Sequence, residues 1–529
     1  MLASAGAEHL DLVLLGVLVG VAALLVVAYR SQVPYPILLV IGGCALAAFP
    51  NAGSLTLSPD LVLIIFLPPL LYAAAFFSSL QDLRSNIKPI SALAIGLVVF
   101  TTLGVGFVAH EAIDGLSWGA AFLLGAVLSP TDPVAASEIA SRVRAPRGFV
   151  RIVEGESLVN DATGLIAYKF ALAATVTGSF SVLDAAGSFA VNAVVGVAIG
   201  IAIGVLITRI RSMIDDAPTE IAISLFTPYF AYLPAEALGV SAVLAAVVSG
   251  IWLGWQSPRL ITPQTRIQAF AFWEILIFLL NATLFVLVGL QLPAITSAVT
   301  DQYSIAQLAA YGALAAGTVI ALRFLWVWPV TYVPRLLSRR IRERYDEPVK
   351  THVFLVAFTG MRGAVALAAA LAIPADVAAR DLIVFLAYVV ILVTVVGQGL
   401  TLPLVIKALN AREDSLAEAE LEAEGRLRAA HAAIARLDEL EGEDWFPEES
   451  RQRMSSLYDF RIRRFTARLD AEDDGAIEER SRGFQRLRRE VLEAERGEII
   501  RLRNSGVITD EIMRRLERDL DLEDARLEI

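Results

Sequence analysis

Gly155-Glu156-Ser157-Leu158-Val159-Asn160-Asp161-Ala162-Thr163 sets two carboxylates, an amide and hydroxyl groups inside a run otherwise apolar enough to cross a membrane. A charged side chain at the centre of a bilayer costs at least about 2.5 kcal/mol even on the lenient insertion scale, so an aspartate there beside asparagine and serine reads as an ion site. On a helix Ser157, Asn160, Asp161 and Gly164 share one face, with Glu154 above Ser157 at three residues' spacing. The polar groups converge on one wall, and Gly164 adds no side chain to crowd it.

The 529 residues are 56% hydrophobic and 19% charged, which excludes an ordinary soluble enzyme and predicts an all-α polytopic membrane protein. Runs long enough to span about 30 Å of hydrocarbon number about thirteen. They begin near Leu10, Pro34, Leu61, Pro89, Leu116, Phe149, Val182, Glu220, Val240, Ile267, Ser304, His352 and Leu382. Lys and Arg gather in cytoplasmic loops, and here they follow the odd spans: Arg30, then Arg84 and Lys88, then Arg142, Arg144, Arg147 and Arg151, then Arg209 and Arg211. The series continues with Arg259 and Arg266, with Arg335, Arg339, Arg340, Arg342, Arg344 and Lys350, and with Lys407, while the opposite loops carry only Arg380. The alternation predicts an odd number of spans, an outside N-terminus and a cytoplasmic C-terminus. Met1 to Glu8 hold no basic n-region, so insertion by the chain's own helices is expected rather than a signal peptide.

Composition changes after Asn410. About 32 of the 55 acids and about 22 of the 44 bases follow it and carry nearly all of the net charge of −11, so residues 1–410 read as a transmembrane domain and 411–529 as a soluble cytoplasmic tail. Leu416, Leu421 and Leu427, and Ile512, Met513, Leu516 and Leu520 behind the cap Thr509, predict amphipathic helices. Asp444, Pro447 and the Asp470–Gly475 stretch are expected to break them. The tail reads as a helical domain for self-association or for binding a cytosolic regulator. Cys44 is alone, which excludes a disulfide framework and a thiolate metal site, and His9, His110, His352 and His431 are too scattered to form one.

Two spans are interrupted. Leu128-Ser129-Pro130-Thr131-Asp132-Pro133 brackets a hydroxyl and a carboxylate with prolines, which remove backbone donors and break the helix, and Thr359-Gly360-Met361-Arg362-Gly363 can unwind at its glycines. Paired interruptions in two halves of a chain point to a secondary transporter's site, and as fifth and twelfth spans these correspond if spans one to six and eight to thirteen are inverted repeats. Half-helix ends carry partial charges, which Asp132 and Arg362 can neutralise; Asp132 can equally be a capping carboxylate at a proline kink. Thr131 and Ser129 can offer oxygens beside the freed carbonyls. Arg323, deep in the eleventh span, requires a buried anion unless it snorkels. Glu156 is its natural partner, which leaves Asp161 as the carboxylate free to exchange a bound cation. Lys169 reads as an outer snorkel or a local pair, and Glu274 and Asn281 as polar enough to line a vestibule.

These residues resemble the monovalent cation/proton antiporter-1 family, the sodium/proton exchangers, over most of residues 30–410. The similarity rests on Thr131-Asp132-Pro133, on Gly155-Glu156-Ser157 leading to Asn160-Asp161, on the intramembrane Arg323, and on Arg362-Gly363-Ala364. It implies that Asp161 binds either a cation or a proton, that Asn160 positions it, and that Ser157 and Thr131 add oxygens to the monovalent-cation site. It further implies a Glu156–Arg323 ion pair, crossing-point charges at Asp132 and Arg362, a homodimer, and thirteen helices in which a core domain moves against a dimerisation domain. Asparagine rather than a second aspartate before Asp161 goes with electroneutral exchange. Many relatives carry an acid after Leu67-Pro68-Pro69-Leu70-Leu71, where this chain has Ala73 and Ala74, so cation preference among Na+, K+ and Li+ stays open. The family also places the protein in a bacterial-type inner membrane.

The expected function is therefore secondary antiport of a monovalent cation against H+, with lipid as its surroundings and neither cofactor nor nucleic acid as a partner. The alternative is a cation channel or uniporter gated through the tail, although the chain lacks a repeated arginine sensor helix and a carbonyl-rich filter signature. An intramembrane enzyme is disfavoured, for no His-Glu-x-x-His, Gly-x-Ser-x-Gly or nucleotide-loop motif occurs.

Overall fold

In a computed structural model the structure describes residues 19–31, 33–47, 59, 62–177, 182–344, 347–411, 415–441, 443, 445–470 and 476–525. Every regular element among them is helical. The chain divides into two compact units, Met1–Glu413 and Asp414–Ile529.

The first unit runs through α1 (Val19–Ser31), α2 (Tyr35–Leu46), α3 (Val62–Phe77) and α4 (Ile87–Ala112). It continues with α5 (Trp118–Leu128), α6 (Pro133–Arg142), α7 (Arg147–Thr177), α8 (Val182–Arg211), α9 (Ala217–Ala237) and α10 (Ala242–Leu260). It closes with α11 (Pro263–Leu290), α12 (Ile305–Leu337), α13 (Lys350–Phe358), α14 (Ala364–Leu371) and α15 (Arg380–Ala408). The expected start of the first span near Leu10 lies outside the described residues.

Six helices among the described residues are long and apolar enough to cross a membrane by length and composition, fewer than the thirteen runs read from the sequence. The difference has a physical origin. Helix α7 is 31 residues long but carries Arg151, Glu154, Glu156, Asp161 and Lys169, and the expected twelfth span is divided into pieces of nine and eight residues. Length and apolarity alone therefore miss α7, the divided α13–α14 and the short α1, α2 and α3, while they count the interrupted Trp118–Arg142 and the Arg323-bearing α12.

Local chemistry fixes the helix ends. Ser117, Ser241, Thr262 and Ser304 accept backbone N–H groups of the first turn, and Ser304 with Gln307 forms a reciprocal capping box. Helices pack closely where glycine lets backbone meet backbone. A Cβ on Gly43 would collide with Val286 O and one on Gly289 with Val40 O, which joins α2 to α11. Gly250 and Gly254 seat α10 against Tyr72 O and Phe76 O of α3, and Gly196 and Gly200 seat α8 against Ser241 O and Ala245 O.

One buried ion pair was not anticipated. Arg211 reads in sequence as a loop base, yet its Nη2 lies 3.1 Å from Glu220 Oε2, with both side chains almost fully enclosed. It joins the last turn of α8 to the first turn of α9, so each charge also complements the dipole of its own helix.

In the second unit, α16 (Ser415–Glu439) packs on α17 (Glu448–Leu469), and α18 (Ala476–Asn504) packs on α19 (Asp510–Ala525). Thr509 Oγ1 accepts the Ile512 N–H and so caps α19, while Arg496 pairs with Asp521 at 2.6 Å. Of the expected breaks, Pro447 and Asp470 flank α17; Asp444 and residues 471–475 lie outside the described residues.

Candidate ion-binding site

The two interruptions meet. Helix α5 ends at Leu128 and α6 begins at Pro133; α13 ends at Phe358 and α14 begins at Ala364. Between them, Asp132 N donates to Met361 O at 2.8 Å. Asp132 is the N-cap of α6, its Oδ1 accepting Val134 N at 2.8 Å, so its negative charge sits at a positive helix end. Arg362 Nε donates to Leu128 O at 2.9 Å, the last carbonyl of α5, and its Nη1 donates to Gly360 O. Each end charge at the crossing thus faces a side chain of opposite sign.

Two glycines make room for this arrangement. A Cβ on Gly360 would fall 2.7 Å from Arg323 Cδ, and one on Gly363 would overlap the Asp132 carboxylate. The second contact has no slack, because Asp132 is held through both its backbone and its side chain. Gly363→Ala should therefore destabilise the folded protein by about 1–3 kcal/mol, as overpacking does, and depress transport at least about tenfold. Gly317→Ala on α12, where a Cβ meets nothing within 4 Å, should leave both thermal unfolding in detergent and flux near wild type.

Behind the crossing lies a charged network. Arg323 does not snorkel: it is 1% exposed, and its Nη1 and Nη2 donate to Glu156 Oε1 and Oε2 at 2.6 and 2.7 Å while its Nε donates to Val356 O at 2.9 Å. Thr131 Oγ1 donates to Glu156 Oε1 at 3.1 Å and accepts Asn160 Nδ2 at 2.6 Å. The chain of contacts thereby runs from Arg323 through Glu156 and Thr131 to Asn160, whose Oδ1 is buried with no hydrogen-bond partner among the described residues. Thr131 retains one oxygen lone pair for another ligand.

Asp161 stands apart from that network. It is 7% exposed, accepts no hydrogen bond and joins no ion pair among the described residues, and it lines a cavity of about 810 Å3 together with Ser157 and Thr131. The cavity extends along α7 past Glu154 to Arg144, Arg147 and Arg151, and Ala73, Ala74 and Asn281 contribute to its walls. Gly164 lets Pro130 approach α7, since a Cβ there would strike the proline ring.

The remaining sequence candidates fall elsewhere. Ser129 Oγ is turned to Ala126 O at 2.9 Å, and Lys169 lies 3.7 Å from Glu236 with both side chains about half exposed. Glu274 is exposed on α11 and does not line the cavity. Two supporting residues escaped the sequence reading. Thr394 Oγ1 accepts the Arg362 N–H at 3.0 Å and donates to Val390 O at 2.8 Å, which ties the α13–α14 break to α15. Ser137 donates to Glu154 at 2.9 Å. A lone hydroxyl in an apolar helix gives no signal of its partner.

A model of the transmembrane sodium/hydrogen exchanger domain matches residues 15–408. The chain belongs to the sodium/hydrogen exchanger family. Within the wider antiporter-1 group, this exchanger is 34% identical to an uncharacterised Na+/H+ exchanger of Mycobacterium tuberculosis over 513 residues, covering 95% of this chain and 93% of that one. It is 35% identical to the sodium, potassium, lithium and rubidium/H+ antiporter of Bacillus subtilis, over 70% of this chain and 58% of the relative. The sodium/proton antiporter MjNhaP1 of Methanocaldococcus jannaschii shares the fold, with a TM-score of 0.55, 20% identity, and coverage of 75% of this exchanger and all of that structure. Cation/proton exchange is accordingly the class of activity of this membrane protein.

Proposed function

We propose that the protein exchanges one monovalent cation for one proton without net charge movement, with Na+ as the principal substrate and K+ or Li+ as further ones. The observation that carries this reading is the contrast between two neighbouring buried carboxylates, Glu156 neutralised by Arg323 and Asp161, which lines the cavity with no protein partner among the described residues. Desolvation favours the protonated form of a carboxyl group and a bound cation favours the ionised form, so proton and cation compete for one site. Asp161 binds either ion in turn as the site is exposed to alternate sides. Asn160 positions the site, Ser157 and Thr131 supply oxygens to the cation, and the Glu156–Arg323 pair with Asp132 and Arg362 holds the broken helices without adding net charge.

In this reading thirteen spans arranged as inverted repeats lie in the inner membrane, the N-terminus is outside, and two copies form a homodimer. Residues 1–410 carry transport and 411–529 form a cytoplasmic regulatory or oligomerising tail. The names of the relatives support a monovalent cation as substrate.

The test is proton flux in proteoliposomes under an imposed pH gradient, with Na+, Li+ or K+ added separately and the membrane potential clamped or free. Dissipation of the gradient by a monovalent cation, unaltered by clamping, is the expected result. Flux that follows voltage without counter-exchange would overturn it.

A further inference from the structure

The cavity wall carries two acids, Glu138 and Glu154, that the exchange site leaves unused. Glu154 lies seven residues before Asp161 on α7, two turns and about 10 Å toward the basic end of the cavity on nearly the same helix face, and both residues line the same space. Its one partner is the Ser137 hydroxyl, which donates to Oε1 at 2.9 Å from the opposite wall, α6. It forms no ion pair among the described residues. The other acids toward that end are already matched, Glu138 with Arg142 at 2.8 Å and Asp82 with Arg151 at 3.3 Å.

Arg151 is the instructive neighbour. It is placed three residues before Glu154, where an i,i+3 pair could form, yet its guanidinium turns to Asp82 on the helix Leu80–Ser85. Glu154 is thereby left without an ion pair among the described residues, on the cavity wall two turns before Asp161. A cation moving along α7 from the end lined by Arg144 passes the Glu154 carboxylate before it reaches Asp161. One hydroxyl donor leaves most of the carboxylate lone pairs open to a cation that keeps part of its water.

We propose that Glu154 is a cation-recruiting residue, an outer station that holds a partly hydrated monovalent cation before it passes inward to Asp161. The inference rests on the exchange reading above and adds a second stop to its path. It separates recruitment from binding: Glu154 sets how much cation is needed, and Asp161 sets whether exchange occurs.

The full chain is assayed in proteoliposomes with Na+ and Li+ as titrants. Glu154→Gln should raise the half-saturating cation concentration about fivefold at low ionic strength and lower the saturated rate by less than about twofold, the pattern of lost electrostatic focusing. In about 0.5 M choline chloride the shift should shrink to under about twofold, because exposed charges are screened over a few ångströms. Glu154→Asp, which keeps the charge, should restore the wild-type titration. An unmoved half-saturation at low ionic strength, a shift that persists undiminished in high salt, or a fall in saturated rate alone would each overturn the proposal. A wild-type protein with no cation-driven flux would instead overturn the exchange reading.

Discussion

Asp161→Asn is expected to reduce cation-driven proton flux to the background of empty liposomes, a loss of at least about a hundredfold, while the protein remains folded. The substitution keeps the shape of the side chain and removes both functions assigned to it, since an amide neither carries the negative charge that attracts a cation nor binds the exchanged proton. Stability should not suffer, because Asp161 accepts no hydrogen bond and joins no ion pair among the described residues. Replacing a desolvated charge by a neutral amide removes a solvation penalty rather than a contact. Thermal unfolding in detergent at neutral pH should occur at the wild-type temperature or above it. Retained flux in a folded Asp161→Asn protein would defeat the competition mechanism.

Arg323→Ala is expected to fail in the opposite manner, by loss of the fold. Alanine abandons Glu156 as an uncompensated charge in a 1%-exposed position and strips Val356 O of its donor. Removing one member of a buried pair costs about 3–5 kcal/mol, a large share of the about 5–15 kcal/mol that holds a typical domain together. Low yield of monodisperse protein and a clearly lowered unfolding temperature should follow. Glu156→Gln leaves the guanidinium unmatched and should do similar damage. The combined variant, Glu156→Gln with Arg323→Met, removes both charges and should be more stable than either Glu156→Gln or Arg323→Met alone, which a double-mutant cycle on these three variants would read as strong coupling. An Arg323→Ala protein that unfolds at the wild-type temperature would contradict this account.

The contrast between these two outcomes explains which parts of the molecule could be read from its sequence. Charge in an apolar run is anomalous, so Asp161, Glu156 and Arg323 announced themselves, and a guanidinium that deep demands an anion whichever residue supplies it. Proline and glycine at Pro130, Pro133, Gly360 and Gly363 marked the interruptions because their backbone chemistry is local. What periodicity could not carry was partnership at a distance. Nothing near Thr394 indicates that its hydroxyl will meet Arg362 N, 32 residues away. Arg211 resembled every other loop base until the fold enclosed it against Glu220. The number of spans suffers from the same blindness in reverse: a rule of length and apolarity sees six spans among the described residues and passes over the polar α7, the divided α13–α14 and the short α1, α2 and α3. Ala73 and Ala74 do line the cavity, so an acid at either position would face the same space as Asp161.

The glycine contacts between helices bear on motion. Where carbonyl meets Cα directly, neither helix can slide past the other, since a shift of one residue would drive a side chain into the space the glycine left open. Helices α2 and α11 are laminated through Gly43 and Gly289, and α3, α8 and α10 through Gly196, Gly200, Gly250 and Gly254. These are plies that travel whole. In the proposed exchange cycle, the displacement that turns Asp161 from one side of the bilayer to the other would have its slip planes in the side-chain interfaces between such plies, where rotamers can adjust, and the glycine seams would decide in advance which helices cannot part company.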